Sequence, residues 1–550
     1  PLIAAAALAA RPALASVAST VAAASAPARA RRWQSLGRDS ACGRAAALDQ
    51  AAVAVTAATL EECKAQCLAG CAAVEFNAEK RSCTLLRDEV RLARKARGSE
   101  CARLVGDSRT EVFVMLPLDV VTPSRFIADP AGLGGMLDEL AGVGIDGFMV
   151  DVWWGLTETS PKVYNFIVYR ELFEFARARG WKVQAVASFH RCGGNVGDSC
   201  DIPLPSFVLE SQGIWYEDAA GVQNREYISL FADSTPVVRG RTPLDMYGDW
   251  LQAFADYFSP DLGGLIAEVM VGMGPAGELR YPSYPSDRWQ FCGVGEFQAF
   301  DAHARASLRS SAARAGRPGW GNPPSVSAVG TYNSRPQETE FFTAGFSTDY
   351  GRFFLEWYSS ALKKHGSNLL ELARQTLGRK TRISGKVAGI HWWYDSPSHA
   401  AEATTGYYNT NFRNAYAELA QVFAEHEATM DFTCLEMRNT EQPPECRSNP
   451  EGLVAQVAEA TAAADVPLGG ENALQRYDVW AYEKIASYRS SLAGFTYLRL
   501  TRDLMEPENL ARFGDFVSAL HGGTEDGLDV ASGAADEEAS ATPPRPPMLL

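Results

Sequence analysis

From about Glu111 to His521 the chain alternates short apolar, β-branched runs with longer stretches of helical periodicity. That alternation predicts parallel strands joined by helices. Eight runs read as strands: Val112–Leu116, Gly147–Trp153, Val183–Phe189, Leu265–Val271, Val387–Trp392, Met430–Leu435, Val466–Leu468 and Gly494–Leu498. Leu133–Ala141 and Tyr169–Arg179 read as helices, the second stopped by Gly180. Eight strand-plus-helix units imply an α/β fold, a (β/α)8 TIM barrel with long βα loops. An open doubly wound sheet is its rival. No Gly-x-Gly-x-x-Gly follows the first strand, so a dinucleotide fold has no support. The run Gly272–Gly277 has glycines at suitable places, but Pro275 lies within it.

Polar residues fall where the predicted strands end. Asp151 closes the second, His190 follows the third, Glu278 the fourth and His391 the fifth. Thr433 lies at the sixth, Glu471 after the seventh and Arg499 at the eighth. In a barrel these positions share the rim where active sites sit. Any one alone reads as a cap, an ion pair or a satisfied core residue. Seven on successive strand ends read as a site. Two glutamates among them fit paired-carboxylate chemistry, in which one group donates a proton while its partner stays ionised. No His-Glu-x-x-His and no Gly-x-Ser-x-Gly competes, and neither a metal nor a cofactor is expected.

Both ends differ from this body. Pro1–Arg38 is Ala-rich with no acidic residue, and Arg11 and Pro12 interrupt its apolar stretch, leaving it too short for a membrane span. With no starting Met, the true N-terminus is expected upstream. Residues 1–38 read as the remains of a targeting segment. The readings are a secretory signal with small residues near Ala24–Ala26, a transit peptide carrying Arg29, Arg31 and Arg32, or a leader with no address. A secretory or extracellular destination is expected, with the plastid as the alternative. Residues 522–550, acidic and Pro-rich, read as a solvated tail.

Six of the 11 cysteines crowd into one short segment: Cys42, Cys63, Cys67, Cys71, Cys83 and Cys101. Thr59 and Glu62 form a capping-box pattern before Cys63 and Cys67, which lie one helical turn apart. Residues 39–105 hold too little apolar material for a comfortable core, a deficit disulfides offset. A zinc-binding knot or a reduced hairpin is the bland alternative, weakened for zinc by the lack of a nearby His. The Cys-x3-Cys-x3-Cys spacing, with Ala72–Asn77 and Cys83–Leu86, resembles a PAN/apple module. The resemblance implies the pairings Cys42–Cys101, Cys63–Cys83 and Cys67–Cys71, and a protein or carbohydrate ligand. Five further cysteines, Cys192, Cys200, Cys292, Cys434 and Cys446, lie within the body at 106–521. Cys192 and Cys200 flank a Gly-rich segment and would stiffen it if bridged. The odd total leaves at least one thiol free unless another chain pairs with it.

Composition narrows the partners. Hydrophobic residues make up 46% of the 550 and charged residues 21%, enough to bury a core. A formal charge of −15 argues against a nucleic-acid or anionic-membrane binder. Twelve Trp, 19 Tyr and 26 Phe supply flat faces suited to neutral ligands such as sugars, although most aromatics are core.

The motifs in order resemble the β-amylases, inverting glycoside hydrolases that release maltose from the non-reducing ends of α-1,4-glucans. The resemblance runs from Val112 to about Phe516. It rests on Val114–Leu118, Met149–Gly155, Ser188–Asp198, Gly274–Pro285, Gly389–Tyr394, Phe432–Arg438, Gly470–Leu474 and Tyr497–Leu500. It implies that Glu278 is the general acid and Glu471 the general base. It implies sugar contacts from Asp151, His190, Asp198, His399, Thr433, Asn472, Ala473 and Arg499. Gly193–Asp198 resembles the family's lid, whose glycines suit closure, and Thr433 lies on its inner loop. One departure stands out. The family usually carries a substrate-contacting lysine after His391-Trp392-Trp393-Tyr394, and Asp395 occupies that position here. An anion in place of a cation donor is expected to weaken binding or to raise the pKa of Glu278. A glucan-binding protein with little turnover is the alternative function. The substrate expected is an α-1,4-glucan such as starch or maltodextrin.

Overall fold

The computed structural model describes residues 32–42, 52–56, 59–65, 73–77, 80–86, 93–105, 109–195 and 197–522. It divides into two compact units, Pro1–Asp107 and Ser108–Leu550. In the first, a five-stranded antiparallel sheet runs Arg32–Cys42, Ala93–Val105, Ala73–Asn77, Ser82–Leu86 and Ala52–Thr56 in spatial order. Its first strand crosses the boundary expected at residue 38. The helix Leu60–Ala65 starts directly after Thr59, where the capping pattern places it. A disulfide joins Cys63 to Cys83 across a Cα separation of 5.6 Å. The side chains of Cys42 and Cys101, and all of Cys67 and Cys71, lie outside the described residues.

The second unit is a closed barrel of eight parallel strands. In order these are β1 (Glu111–Met115), β2 (Gly147–Trp153), β3 (Lys182–Ser188), β4 (Ile266–Val271), β5 (Arg382–Val387), β6 (Thr429–Phe432), β7 (Leu468–Glu471) and β8 (Leu492–Tyr497). Each pairs with the next, and β8 closes on β1. A helix covers each strand: α1 (Pro130–Gly142), α2 (Ile167–Ala178), α3 (Pro243–Tyr257), α4 (Asp349–Leu377), α5 (Ala415–Glu425), α6 (Pro450–Ala464), α7 (Val479–Ala486) and α8 (Pro507–Leu520). Local signals explain several starts. Asp129 accepts from the Gly132 N–H ahead of Pro130, and Thr242 and Asp245 form a reciprocal capping box. No helix among the described residues is long and apolar enough to cross a membrane.

Seven strands match the sequence reading within a few residues. The fifth does not. The apolar run Val387–Trp392 looked like a strand, but β5 is Arg382–Val387 and His391 follows it in a loop. β5 carries two polar residues, Ser384 and Lys386, and both are buried. Ser384 donates to Glu268 of β4 at 2.8 Å, and Thr496 of β8 donates to Gln184 of β3 at 2.8 Å. These side chains form a polar layer inside the barrel, each satisfied by a neighbouring strand. Strands facing such a lumen lack a purely apolar signature.

Candidate active site

The acid-side carboxylate is set by the end of β4. Beyond Val271 the chain turns through Gly274–Gly277, with Gly277 at φ 75° and Ala276 at φ 53°. Glycine adopts that conformation freely, whereas alanine pays for it sterically. The turn returns Glu278 to β5, where its backbone bridges Lys386 and the Leu279 N–H donates to the Lys386 carbonyl at 2.8 Å. Glu278 Oε2 lies 2.6 Å from Nε of Arg280, a guanidinium only 2% exposed that also covers the Tyr284 ring at 4.3 Å.

The second carboxylate, Glu471, is the last residue of β7 and 1% exposed. Its Oε2 lies 2.6 Å from the ammonium of Lys386, and Oε1 has no protein partner. Burial pushes its carboxyl above the usual range, Lys386 pulls it down, and the Glu278 charge pushes it up again. Burial works against the Lys386 charge, yet Glu471 and Glu278 together hold its ammonium above the ordinary lysine value. Lys386 thus pairs with Glu471 and also feels the Glu278 charge. The sequence reading missed it because it started the fifth strand at Val387, one residue past the lysine, whereas β5 begins at Arg382. The lysine in the Arg382–Val387 alternation was the available signal.

Most of the other candidates converge on these three. Asp151 on β2 accepts from Ser188 Oγ at 2.6 Å and leaves Oδ2 without a partner. Its carboxyl is raised by burial against the pull of Ser188, Arg499 and Lys386. His190 is buried edge-on to Trp153, with Nδ1 unpartnered. Burial pushes its pKa down to about 4, so it is a neutral donor or acceptor near pH 7. Asp198 folds back on its own loop, with Oδ2 accepting the N–H groups of Gly193, Gly194 and Asn195 at 2.8, 2.9 and 3.0 Å. The charges of Asp198, Arg499 and Lys386 are all felt at Asp151, which ties lid, β8 and β5 to one pocket. Thr433 Oγ1 accepts the Gly389 N–H at 3.0 Å, joining the inner loop to the segment after β5.

Asn472 and Ala473 are held otherwise. The Asn472 amide donates to the carbonyls of Leu498 and Leu474 and accepts the Leu498 N–H, so its side chain ties β7 to β8. The Ala473 N–H donates to Glu436, which also accepts from Leu474 at 2.7 Å. Glu436 was not read from the sequence. It is fully buried, with its pKa pushed up to about 7 by burial, and it anchors the loop after the base.

Two expectations need correction. His399 does not join the cluster. Its Nδ1 lies 2.5 Å from Glu402, its ring meets Tyr394 edge-on, and Asn409 packs beside both. Burial opposes its charge, but the Glu402 carboxylate outweighs that and holds its pKa above the ordinary value. His399 is thus paired with Glu402 in a buried contact. Asp395 does not face the carboxylates either. It accepts from Asn449 Nδ2 at 2.9 Å and lines a surface cavity with Asn439, Gln442 and Ser448. The cation expected at that position is supplied to the site from β5 by Lys386.

Disulfides frame the rim. Cys192 and Cys200 are bonded across the Gly-rich lid, with Cα atoms 5.7 Å apart. Cys292 is bonded to Cys446 over a sequence separation of 154, a pairing not foreseen. The Cys446 carbonyl accepts the Trp393 N–H at 2.8 Å, so this bridge clasps the His391–Trp393 segment. Cys434, beside Thr433, is a buried free thiol. Among the described residues no group of His, Cys, Asp and Glu is arranged to hold a metal.

Residues 113–526 match the model of glycosyl hydrolase family 14. The chain is 46% identical over 443 residues to chloroplastic beta-amylase 1 of Arabidopsis thaliana, covering 76% of this chain and 77% of the relative. It is 47% identical over 452 residues to chloroplastic beta-amylase 1 of Oryza sativa subsp. japonica, covering 78% and 84%. The crystal structure of the catalytic domain of beta-amylase from Paenibacillus polymyxa superposes with a TM-score of 0.63 at 30% identity, covering 74% of this chain and 98% of that one.

Proposed function

The chain belongs to glycosyl hydrolase family 14, and from that premise we propose that it is a β-amylase. It hydrolyses α-1,4-glucans from their non-reducing ends and releases β-maltose with inversion. The observation that carries this reading is the pair of carboxylates after β4 and at the end of β7, each with its own cation: Glu278 with Arg280, and Glu471 with Lys386. In the inverting scheme Glu278 gives its proton to the glycosidic oxygen, while Glu471 takes a proton from the water attacking the opposite face. As Glu471 is neutralised, Glu278 becomes an anion. Lys386, which feels both, keeps a counter-charge at each stage. Asp151, neutral His190 and Arg499 line the same pocket and suit the hydroxyls of a sugar ring. Substrate exchanges through the Gly193–Asp198 lid.

Glu278→Gln and Glu471→Gln test the roles. Each is expected to lower kcat on maltopentaose by about 10²–10⁴-fold while leaving KM nearly unchanged. Retained turnover in either variant contradicts the assignment. The chloroplastic relatives favour a plastid destination for this chain, which import of a tagged full-length precursor into isolated plastids would test. The antiparallel sheet and the Cys63–Cys83 bridge support a PAN/apple-like ligand-binding role for the first unit.

A further inference from the structure

One buried carboxylate outside the roles above touches both the lid and the turn that aims the acid. Glu226 lies on the short strand Gln223–Ile228, in the loop after β3, and is 4% exposed. Its Oε1 accepts the backbone N–H of Ala276 at 2.8 Å and also the side-chain amide of Asn195 in the lid. Asn195 Oδ1 in turn accepts Arg280 Nη2 at 2.6 Å, and Arg280 Nε reaches Glu278 Oε2 at 2.6 Å. A continuous chain of polar contacts therefore runs from Glu226 through Asn195 and Arg280 to the acid. On its other side Glu226 secures Ala276, the left-handed residue two positions before Glu278. The lid backbone at Gly194 also packs closely here, since a Cβ there would lie 3.3 Å from Glu226 Oε2.

A carboxylate is an expensive way to fill a buried site, because an apolar residue of similar size avoids the desolvation cost. Its retention needs a reason beyond packing. We propose that Glu226 is a positioning residue that links lid closure to the placement of Glu278, by holding Asn195 against Arg280 while fixing the turn at Ala276. This rests on the hydrolase reading above. The charged and titratable groups around Glu226 are Arg280 and Tyr284 from the acid loop and Asp198 from the lid. Burial outweighs the pull of Arg280 and pushes the Glu226 pKa up to about 7. Above that pH the carboxylate is ionised and is the stronger acceptor. Below it the hold on the lid loosens.

Glu226→Leu removes the acceptor; Glu226→Gln keeps an acceptor oxygen but cannot ionise. The proposal expects kcat on maltopentaose to fall by about 100-fold in Glu226→Leu and to recover largely in Glu226→Gln. The wild-type KM should fall as pH rises through about 7, while the KM of Glu226→Gln stays flat there. Hydrogen exchange of the 193–198 amides in the unliganded full chain gives a readout independent of turnover. It should quicken by about tenfold in Glu226→Leu and lie between that value and wild type in Glu226→Gln, which accepts as the protonated acid does. Unchanged lid exchange in Glu226→Leu, or the same KM profile in wild type and Glu226→Gln, overturns the proposal. A wild type that releases no maltose while its lid exchange still responds to Glu226→Leu sinks the hydrolase reading and the acid-placement half of the link, leaving the lid anchor standing.

Discussion

Lys386 is the residue on which both carboxylates depend. With Lys386 replaced by Met, Glu471 keeps its desolvation and loses the nearest opposing charge. Its pKa, already raised by burial, then rises further. A general base works only as a carboxylate, so the acid limb of kcat/KM should move to higher pH in Lys386→Met, and a pH–rate profile reads this directly. Breaking a buried pair from one side also costs about 3–5 kcal/mol, visible as a lower midpoint in urea. Asp395 makes the opposite case. Its carboxylate is bound to Asn449 at the surface, so Asp395→Lys should leave kcat and KM within about twofold of wild type, the range of ordinary surface substitutions. A large gain in either constant would return residue 395 to the substrate path.

At the level of elements, strand order was legible, with Asp151 inside β2, Glu278 beyond β4 and Glu471 ending β7, because parallel strands buried on both faces read as apolar runs. β5 was not. Its Ser384 and Lys386 serve the lumen and the site, and an apolar loop follows it. That shift carried the lysine and His399 with it: a cation was sought after Tyr394 when it lay on the strand. Contacts made by chain reversal were equally hidden, since no local pattern announces that Glu436 holds Ala473 or that Cys292 meets Cys446. The Cys192–Cys200 bridge closes a short loop around Asp198, whose carboxylate already gathers three N–H groups of that loop. A Cys192→Ser, Cys200→Ser variant frees the flanks of the lid. KM for maltopentaose should rise severalfold with a smaller change in kcat, and amide exchange across 191–201 should quicken. Equal KM and equal exchange would make the bridge irrelevant to closure.

For the whole molecule, each site residue named above comes from the barrel unit, between Asp151 and Arg499. Residues 106–522 alone should therefore release maltose from maltopentaose at a rate close to that of the full chain. A fragment that folds by circular dichroism yet fails to turn over would assign the first unit a part in the site. The wider claim is that paired carboxylates on this barrel rim act on opposite faces of one glycosidic bond. Proton NMR of soluble starch during the first minutes of digestion tests that most directly, because the anomeric signals of new maltose record the face of attack before mutarotation blurs them. β-Maltose is expected as the first product. Early α-maltose, or starch that stays intact, would contradict it.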